Sequence, residues 1–157
     1  MAREHLFRGF HPDKNGITTI TLNGKQIKGD WVEGNLFIPD DPSTPTQICM
    51  GTSTIRICYD VIPETVGEFI NLIDVNKNKI FENDILFSLT FGEVLGVVEY
   101  GKGTFDSGIY CYTGFYYKTS CGNVDHTNLY QLEIDKYSRI KVIGNTFENP
   151  ELLETRQ

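Results

Sequence analysis

No stretch of the chain approaches the ~20 consecutive apolar residues that a bilayer-spanning helix requires. No segment sustains the 3.6-residue hydrophobic period of an amphipathic helix, and no repeat of fixed length appears. These absences argue against a membrane anchor and against a helical bundle. Met1 to Phe10 mixes charges with histidine and has no apolar stretch, so no secretory leader is expected. Basic residues are also scarce: 14 Lys+Arg face 21 Asp+Glu, for a formal net charge of -7. A surface of that sign repels phosphate backbones, which argues against nucleic acid as a partner. The four cysteines, Cys49, Cys58, Cys111 and Cys121, include no CxxC pair, and with His5, His11 and His126 they complete no zinc spacing. Their even number permits disulfides of unreadable connectivity, but 157 residues do not need covalent staples. Reduced, mostly buried thiols in a cytosol are expected.

What is present is β-forming. The chain is 39% apolar, with 10 Phe and 8 Tyr, too rich in core formers for a disordered segment. Leu6 to Phe10 stops at Pro12-Asp13-Lys14-Asn15-Gly16, where Asn-Gly is expected to supply a positive-φ turn. Ile17 to Leu22 alternates apolar residues with Thr, and Asn23-Gly24 turns the chain again, which suggests a hairpin. Trp31 to Ile38 reads as the next strand and ends at Pro39. The segment from Pro39 to Pro45 is a loop. Gln47 to Met50 and Ile55 to Tyr59 read as short strands, and Pro63 to Ile70 as extended chain. In the second half, Ile85 to Leu89 and Val94 to Tyr100 read as strands, with Gly101-Lys102-Gly103 as the following turn. Ile109 to Lys118 is an aromatic strand, Thr119 to Asn128 a loop, and Leu129 to Ile134 and Ile140 to Phe147 further strands. Glu148 to Glu154 suits a single helical turn, since Asn149 can cap it and Pro150 fits its first position. Many short strands with Gly-rich turns mean an all-β protein, sandwich or barrel, with little helix.

Segments in order along the chain are similar to those of the YopX family of phage and prophage proteins. Arg3 to Gly9 (R-E-H-L-F-R-G) resembles its R-E-I-K-F-R-G opening, and Gly29 to Leu36 its G-x-W-V-x-G-x-L segment. Pro63 to Phe69 resembles P-E-T-V-G-Q-F/Y, and Asp74 to Ile85 resembles D-K-N-G-K-x-I-F/Y-E-G-D-I. Val142 to Leu153 resembles V-I-G-N-x-Y/F-E-N-P-E-L-L. Asn78 and Asn83 stand where the family has Gly, both at positions expected to need a left-handed backbone, which Asn tolerates. The resemblance implies an all-β protein whose C-terminal half is an SH3-type barrel; the boundary is placed near Pro63 to Ile73, with an N-terminal β lobe over residues 1–62 and the barrel over 63–157. It also implies homo-oligomers and a phage or prophage accessory protein in a bacterial cytoplasm. It carries over no reaction, catalytic residue or cofactor.

Several constellations invite a chemical reading. Asp74-Val75-Asn76-Lys77-Asn78 mimics the start of a calcium loop, but Lys79 stands where an EF-hand needs Gly and Ile85 where it needs Glu, so a surface turn is expected. Cys121 and His126 lie close in sequence without an oxyanion-hole motif. Asp13, Asp30, Asp40, Asp41, Asp60, Glu64 and Glu68 fall in turns and on surfaces, with nothing to fix a catalytic separation. Gly101-Lys102-Gly103 lacks the rest of a phosphate loop. No enzyme, metal or cofactor is expected. The candidate interaction surface is the aromatic strand, through Tyr110, Tyr112, Tyr116 and Tyr117. Such a strand either packs into a core or offers a face to a protein partner, host or phage. The leading expectation is a non-enzymatic, self-associating interaction module. The alternative is a nucleic-acid accessory protein that uses a small barrel and this strand.

Overall fold

The structure, a computed structural model, describes residues 5–52, 54–105, 110–118, 127–128 and 139–154, with side chains left aside at 102–113, 118 and 127–128. It is all-β with one helical turn. The strands are β1 (Phe7–Pro12), β2 (Thr18–Leu22), β3 (Lys25–Phe37), β4 (Gln47–Gly51), β5 (Arg56–Asp60) and β6 (Ile62–Ile73). They continue with β7 (Lys79–Phe81), β8 (Asp84–Ser88), β9 (Glu93–Phe105), β10 (Tyr110–Lys118), β11 (Thr127–Asn128) and β12 (Ile140–Asn145), and α1 (Glu151–Glu154) is the helical turn. One sheet runs β5-β4-β3-β1-β6-β7, with β2 also paired to β3, and the other runs β11-β10-β9-β8-β12. The pairings β1–β3, β1–β6, β2–β3, β3–β4, β4–β5, β8–β9, β8–β12, β9–β10 and β10–β11 are antiparallel, and among the described residues neither sheet closes into a barrel.

The chain forms two compact units, Met1–Phe69 and Ile70–Gln157. The first is built on β3, which pairs with β1, β2 and β4 along its length. Alternation sends Phe10, Ile20 and Ile48 inward, and all three are fully buried. Trp31 lies opposite Phe10 in the β1–β3 ladder, and their rings meet edge to face at 5.3 Å. The Arg8 guanidinium sits over the Trp31 ring at 4.9 Å, a cation–π contact that ties the two strands on that face. The second unit packs Ile70, Ile80, Leu86, Val98 and Tyr117 into one core.

Several local expectations need correction. The strand read from Trp31 begins at Lys25 and stops at Phe37, because Asn23 (φ 51°) and Gly24 (φ 77°) make a hairpin turn that feeds β2 straight into β3. Asn15-Gly16 is not a positive-φ turn. Glycine is needed at position 16 because a Cβ there would lie 2.4 Å from the Gly29 carbonyl carbon. Gly101-Lys102-Gly103 is not a turn either. β9 runs on to Phe105, and Gly101 lies opposite Gly114 in β10. Thr127–Asn128, read as loop, pairs with Tyr117 and Tyr116 as β11. The left-handed residue of the turn after Asp74 is Lys77 (φ 64°), which D-K-N-G also places opposite Gly, rather than Asn78, while Asn83 (φ 71°) does adopt that conformation. β6 extends through Pro63 to Ile70 as expected, and α1 follows Pro150. Leu129 to Ile134, Cys121 and His126 lie outside the described residues.

The largest correction concerns the thiols. Cys49 and Cys58 face each other directly across β4 and β5 and form a disulfide, with Cα atoms 4.0 Å apart. Val61 N–H donates to the Thr46 carbonyl and Thr52 N–H to the Ile55 carbonyl. Those bonds fix the phase of the ladder and make Cys49–Cys58 a non-hydrogen-bonded pair, where opposing side chains come closest. Pairing therefore follows from register, which spacing along the sequence does not reveal.

Candidate interaction surface

The polar residues that invited a chemical reading are engaged in holding turns. Asp74 is 6% exposed. Its Oδ1 accepts from the N–H of Asn76 (2.9 Å) and of Asn78 (2.8 Å). Its Oδ2 accepts from Asn78 Nδ2 (3.3 Å) and from Val142 N–H (3.0 Å) in β12. Burial pushes this carboxyl up, but the bonds from Val142, Asn78 and Asn76 outweigh it and leave the pKa below the ordinary value. Both oxygens already face N–H donors, which is the wrong arrangement for a cation. Asp84, also buried, accepts from Phe81 N–H at 2.8 Å. Asn145 Oδ1 accepts from the N–H of Phe147 and of Glu148, while its Nδ2 donates to Glu148 Oε2 at 2.6 Å. Among the described residues no group of three or more His, Cys, Asp or Glu is placed to hold a metal ion. No helix among them is long and apolar enough to cross a membrane.

The aromatic strand is buried where its side chains are described. Tyr116 and Tyr117 are each 8% exposed. Consecutive strand residues point to opposite faces, so both faces of the sheet are covered at this place. Tyr117 belongs to the core of the second unit, and Tyr116 donates its hydroxyl to Glu99 Oε2 at 3.0 Å. Burial first, and the Glu99 carboxylate second, hold the Tyr116 phenol above its usual pKa. Tyr110 and Tyr112 lie on β10, and their side chains are outside the described residues. Tyr100, across the ladder from Phe115, is half-exposed and meets that ring edge to face at 5.0 Å.

Two apolar surfaces escaped the sequence reading. One is the tip of the β8–β9 hairpin, where Leu89 and Phe91 are exposed, Phe91 at 71%. The tip is held firmly: Phe91 N–H donates to Ser88 Oγ, Gly92 N–H to the Ser88 carbonyl, and Leu89 N–H to the Arg139 carbonyl. The other is β5, the terminal strand of its sheet. Its exposed residues include Ile57 (53%), and Ile55 (74%) directly precedes it. Ile55, Ile57 and Tyr59 share one face, while Arg56, Cys58 and Asp60 share the other. Because Tyr59, Ile57 and Ile55 bond inward to β4, the N–H and C=O groups of Arg56, Cys58 and Asp60 point to the outer edge. At Asp60 that edge is occupied, since His11 Nδ1 donates to the Asp60 carbonyl at 2.7 Å. The sequence signal was the short alternation of Ile with polar residues, which does not distinguish an edge strand from a central one.

The profile of the YopX protein family matches residues 6–154. The chain belongs to the YopX family. No match was found among curated proteins. The YopX-like segments meet in space within each unit. Arg8 and Trp31 stack across β1 and β3, and Thr65 Oγ1 in β6 accepts from Phe10 N–H at 2.9 Å. In the second unit Asp74 grips Val142, and Thr146 N–H donates to the Asn83 carbonyl. Arg8 with Trp31 and Asp74 with Val142, residues that carry the YopX resemblance, thus lock strands to one another.

Proposed function

We propose that this YopX family member is a non-enzymatic, self-associating interaction module encoded by a phage or prophage. In this reading the C-terminal half is an SH3-type barrel in kind, and its role is to support an assembly rather than to catalyse. The observation that carries the proposal is the apolar outer edge of β5, with Ile55 and Ile57 exposed beside outward-facing backbone groups. Soluble proteins usually blunt such edges with charge, proline or a covering segment; Arg56 and Asp60 put charge on one face of β5, while the Ile55–Ile57 face is left apolar and favours strand pairing with another chain. The rigid Leu89–Phe91 tip adds a second apolar contact of the kind enriched at interfaces. Nucleic-acid binding ranks behind this reading. The net charge is -7, and the described side chains of the aromatic strand include the buried Tyr116 and Tyr117. Sedimentation of the purified chain over a range of concentrations tests the proposal. A concentration-dependent rise in mass is expected, and a strict monomer with no partner captured from host lysate would overturn it.

A further inference from the structure

We infer that two copies of this chain pair through β5, antiparallel across a two-fold axis centred on Ile57. This rests on the self-association proposed above and gives it a location and a register. Arg56, Cys58 and Asp60 direct their backbone groups outward, and the Asp60 carbonyl is already engaged by His11 Nδ1. That leaves Arg56 and Cys58 with outward groups, and β5 has no strand on this side among the described residues.

A two-fold antiparallel pair must set outward-facing residues opposite one another. Centring the axis on Ile57 places Arg56 of each copy opposite Cys58 of the other, so their N–H and C=O groups bond reciprocally and Asp60 is not needed. Centring it on Cys58 would drive Arg56 of the second copy against the Asp60 carbonyl, where His11 stands.

Side chains agree with the same register. Ile57 lies against Ile57 of the second copy as a non-hydrogen-bonded pair, the close kind. Ile55 lies against Tyr59 of the second copy, which is half-buried with its ring 5.2 Å from that of His11, so the exposed Ile55 and Ile57 both gain apolar cover. On the opposite face Arg56 is diagonal to Asp60 of the second copy, within reach of a long side chain. Asp60 keeps Oδ1 on Gln47 Nε2 at 2.8 Å, and its other oxygen meets the incoming guanidinium. An interface of this kind is isologous, with one patch serving both partners. With each copy at -7, mutual repulsion opposes the approach, so the pairing is favoured by moderate ionic strength.

The test is covalent capture with Ile57→Cys. In the proposed register the two introduced thiols face each other, so mild oxidation yields a disulfide-linked dimer on a non-reducing gel, well above the unsubstituted chain treated alike. Ile55→Cys, which faces Tyr59 of the second copy, gives several-fold less. Ile57→Lys, folded by circular dichroism, raises the dimer dissociation constant at least tenfold. Arg56→Glu weakens the dimer, and adding Asp60→Arg restores it. If the chain self-associates but Ile57→Cys does not cross-link and Ile57→Lys leaves assembly unchanged, the β5 assignment fails while self-association stands. If the chain is a monomer at every concentration and captures no partner, both readings fail. A monomer that captures a foreign protein on this edge, and loses it in Ile57→Lys, overturns the two-fold pairing.

Discussion

Replacing Asp74 by Asn is the sharpest perturbation of the second unit, because it changes charge and one acceptor while preserving shape. In the native chain the carboxylate receives the N–H groups of Asn76, Asn78 and Val142 and the Asn78 side-chain amide. Asn keeps one oxygen, which can still serve the turn through Asn76 and Asn78. Its NH2 then faces Val142 N–H and Asn78 Nδ2, donor against donor. A hydrogen bond to a charged group contributes about 1.5–3 kcal/mol, and stranding a buried donor costs a comparable amount that partly overlaps it. We expect a loss of about 3 kcal/mol, which for a unit of this size lowers Tm by roughly 12–20 °C. The readout specific to this site is amide exchange at Val142, whose protection depends on a bond spanning 68 residues of sequence. The pH dependence has a definite sign. The folded carboxyl titrates below its unfolded value because its donors outweigh burial. Its contribution is therefore complete above the unfolded pKa of about 3.9 and is lost as pH falls through the folded pKa. The gap between native and Asp74→Asn stability stays constant from neutral pH to about pH 5 and narrows in stronger acid. Equal stability of the two proteins at pH 7, or a gap that does not narrow in acid, would refute the reasoning.

Further outcomes follow from other sites. Reducing the Cys49–Cys58 disulfide, whose partners are 9 residues apart, should cost the first unit about 2.5 kcal/mol, read as a lower denaturant midpoint with dithiothreitol than without. Peptide mapping of the unreduced chain should show that link directly. Gly24→Ala, at φ 77° with open space around it, should cost only about 1–2 kcal/mol of backbone strain. Gly16→Ala should cost more, because its Cβ would meet the Gly29 backbone at 2.4 Å and backbone cannot step aside; equal midpoints for the two variants would contradict this. Tyr116→Phe should lose about 1 kcal/mol and remove a late-ionising phenol from the alkaline absorbance titration, since burial and Glu99 both raise that group. Phe91→Ser should leave the thermal midpoint nearly unchanged, within about 0.5 kcal/mol, as its side chain is 71% exposed.

The β character of the chain was legible because alternation is a local signal, and Ile20, bracketed by Thr19 and Thr21, is buried as that pattern demands. Strand limits were less legible where glycine has two uses. Gly101 and Gly103 look like punctuation, yet they sit inside β9, where they lie opposite Gly114 and Tyr112 of β10. Asp74 shows the same division within one side chain. Its bonds to Asn76 and Asn78 are foreshadowed by the spacing of an Asx turn, whereas the bond to Val142 exists only once β12 has come alongside. The disulfide and the open edge were invisible for that reason too, since both are properties of strand register.

The candidate surface belongs to the same class of facts. A short run such as Arg56 to Asp60 reads identically whether a neighbour covers both sides or one, so only the sheet order exposes it as terminal. The aromatic strand drew attention because it is rich in Tyr, but richness does not distinguish a platform from a core. At Tyr116 and Tyr117 the covering of both sheet faces turns that richness to packing. Residues by which the family is recognised include ones that fasten strands distant in sequence: Arg8 on Trp31 and Asp74 on Val142. A signature made of fasteners specifies a scaffold and leaves its outward surfaces free to vary. What a member of such a family joins to is then set by edges and tips, and in this chain those are the outer side of β5 and the Leu89–Phe91 turn.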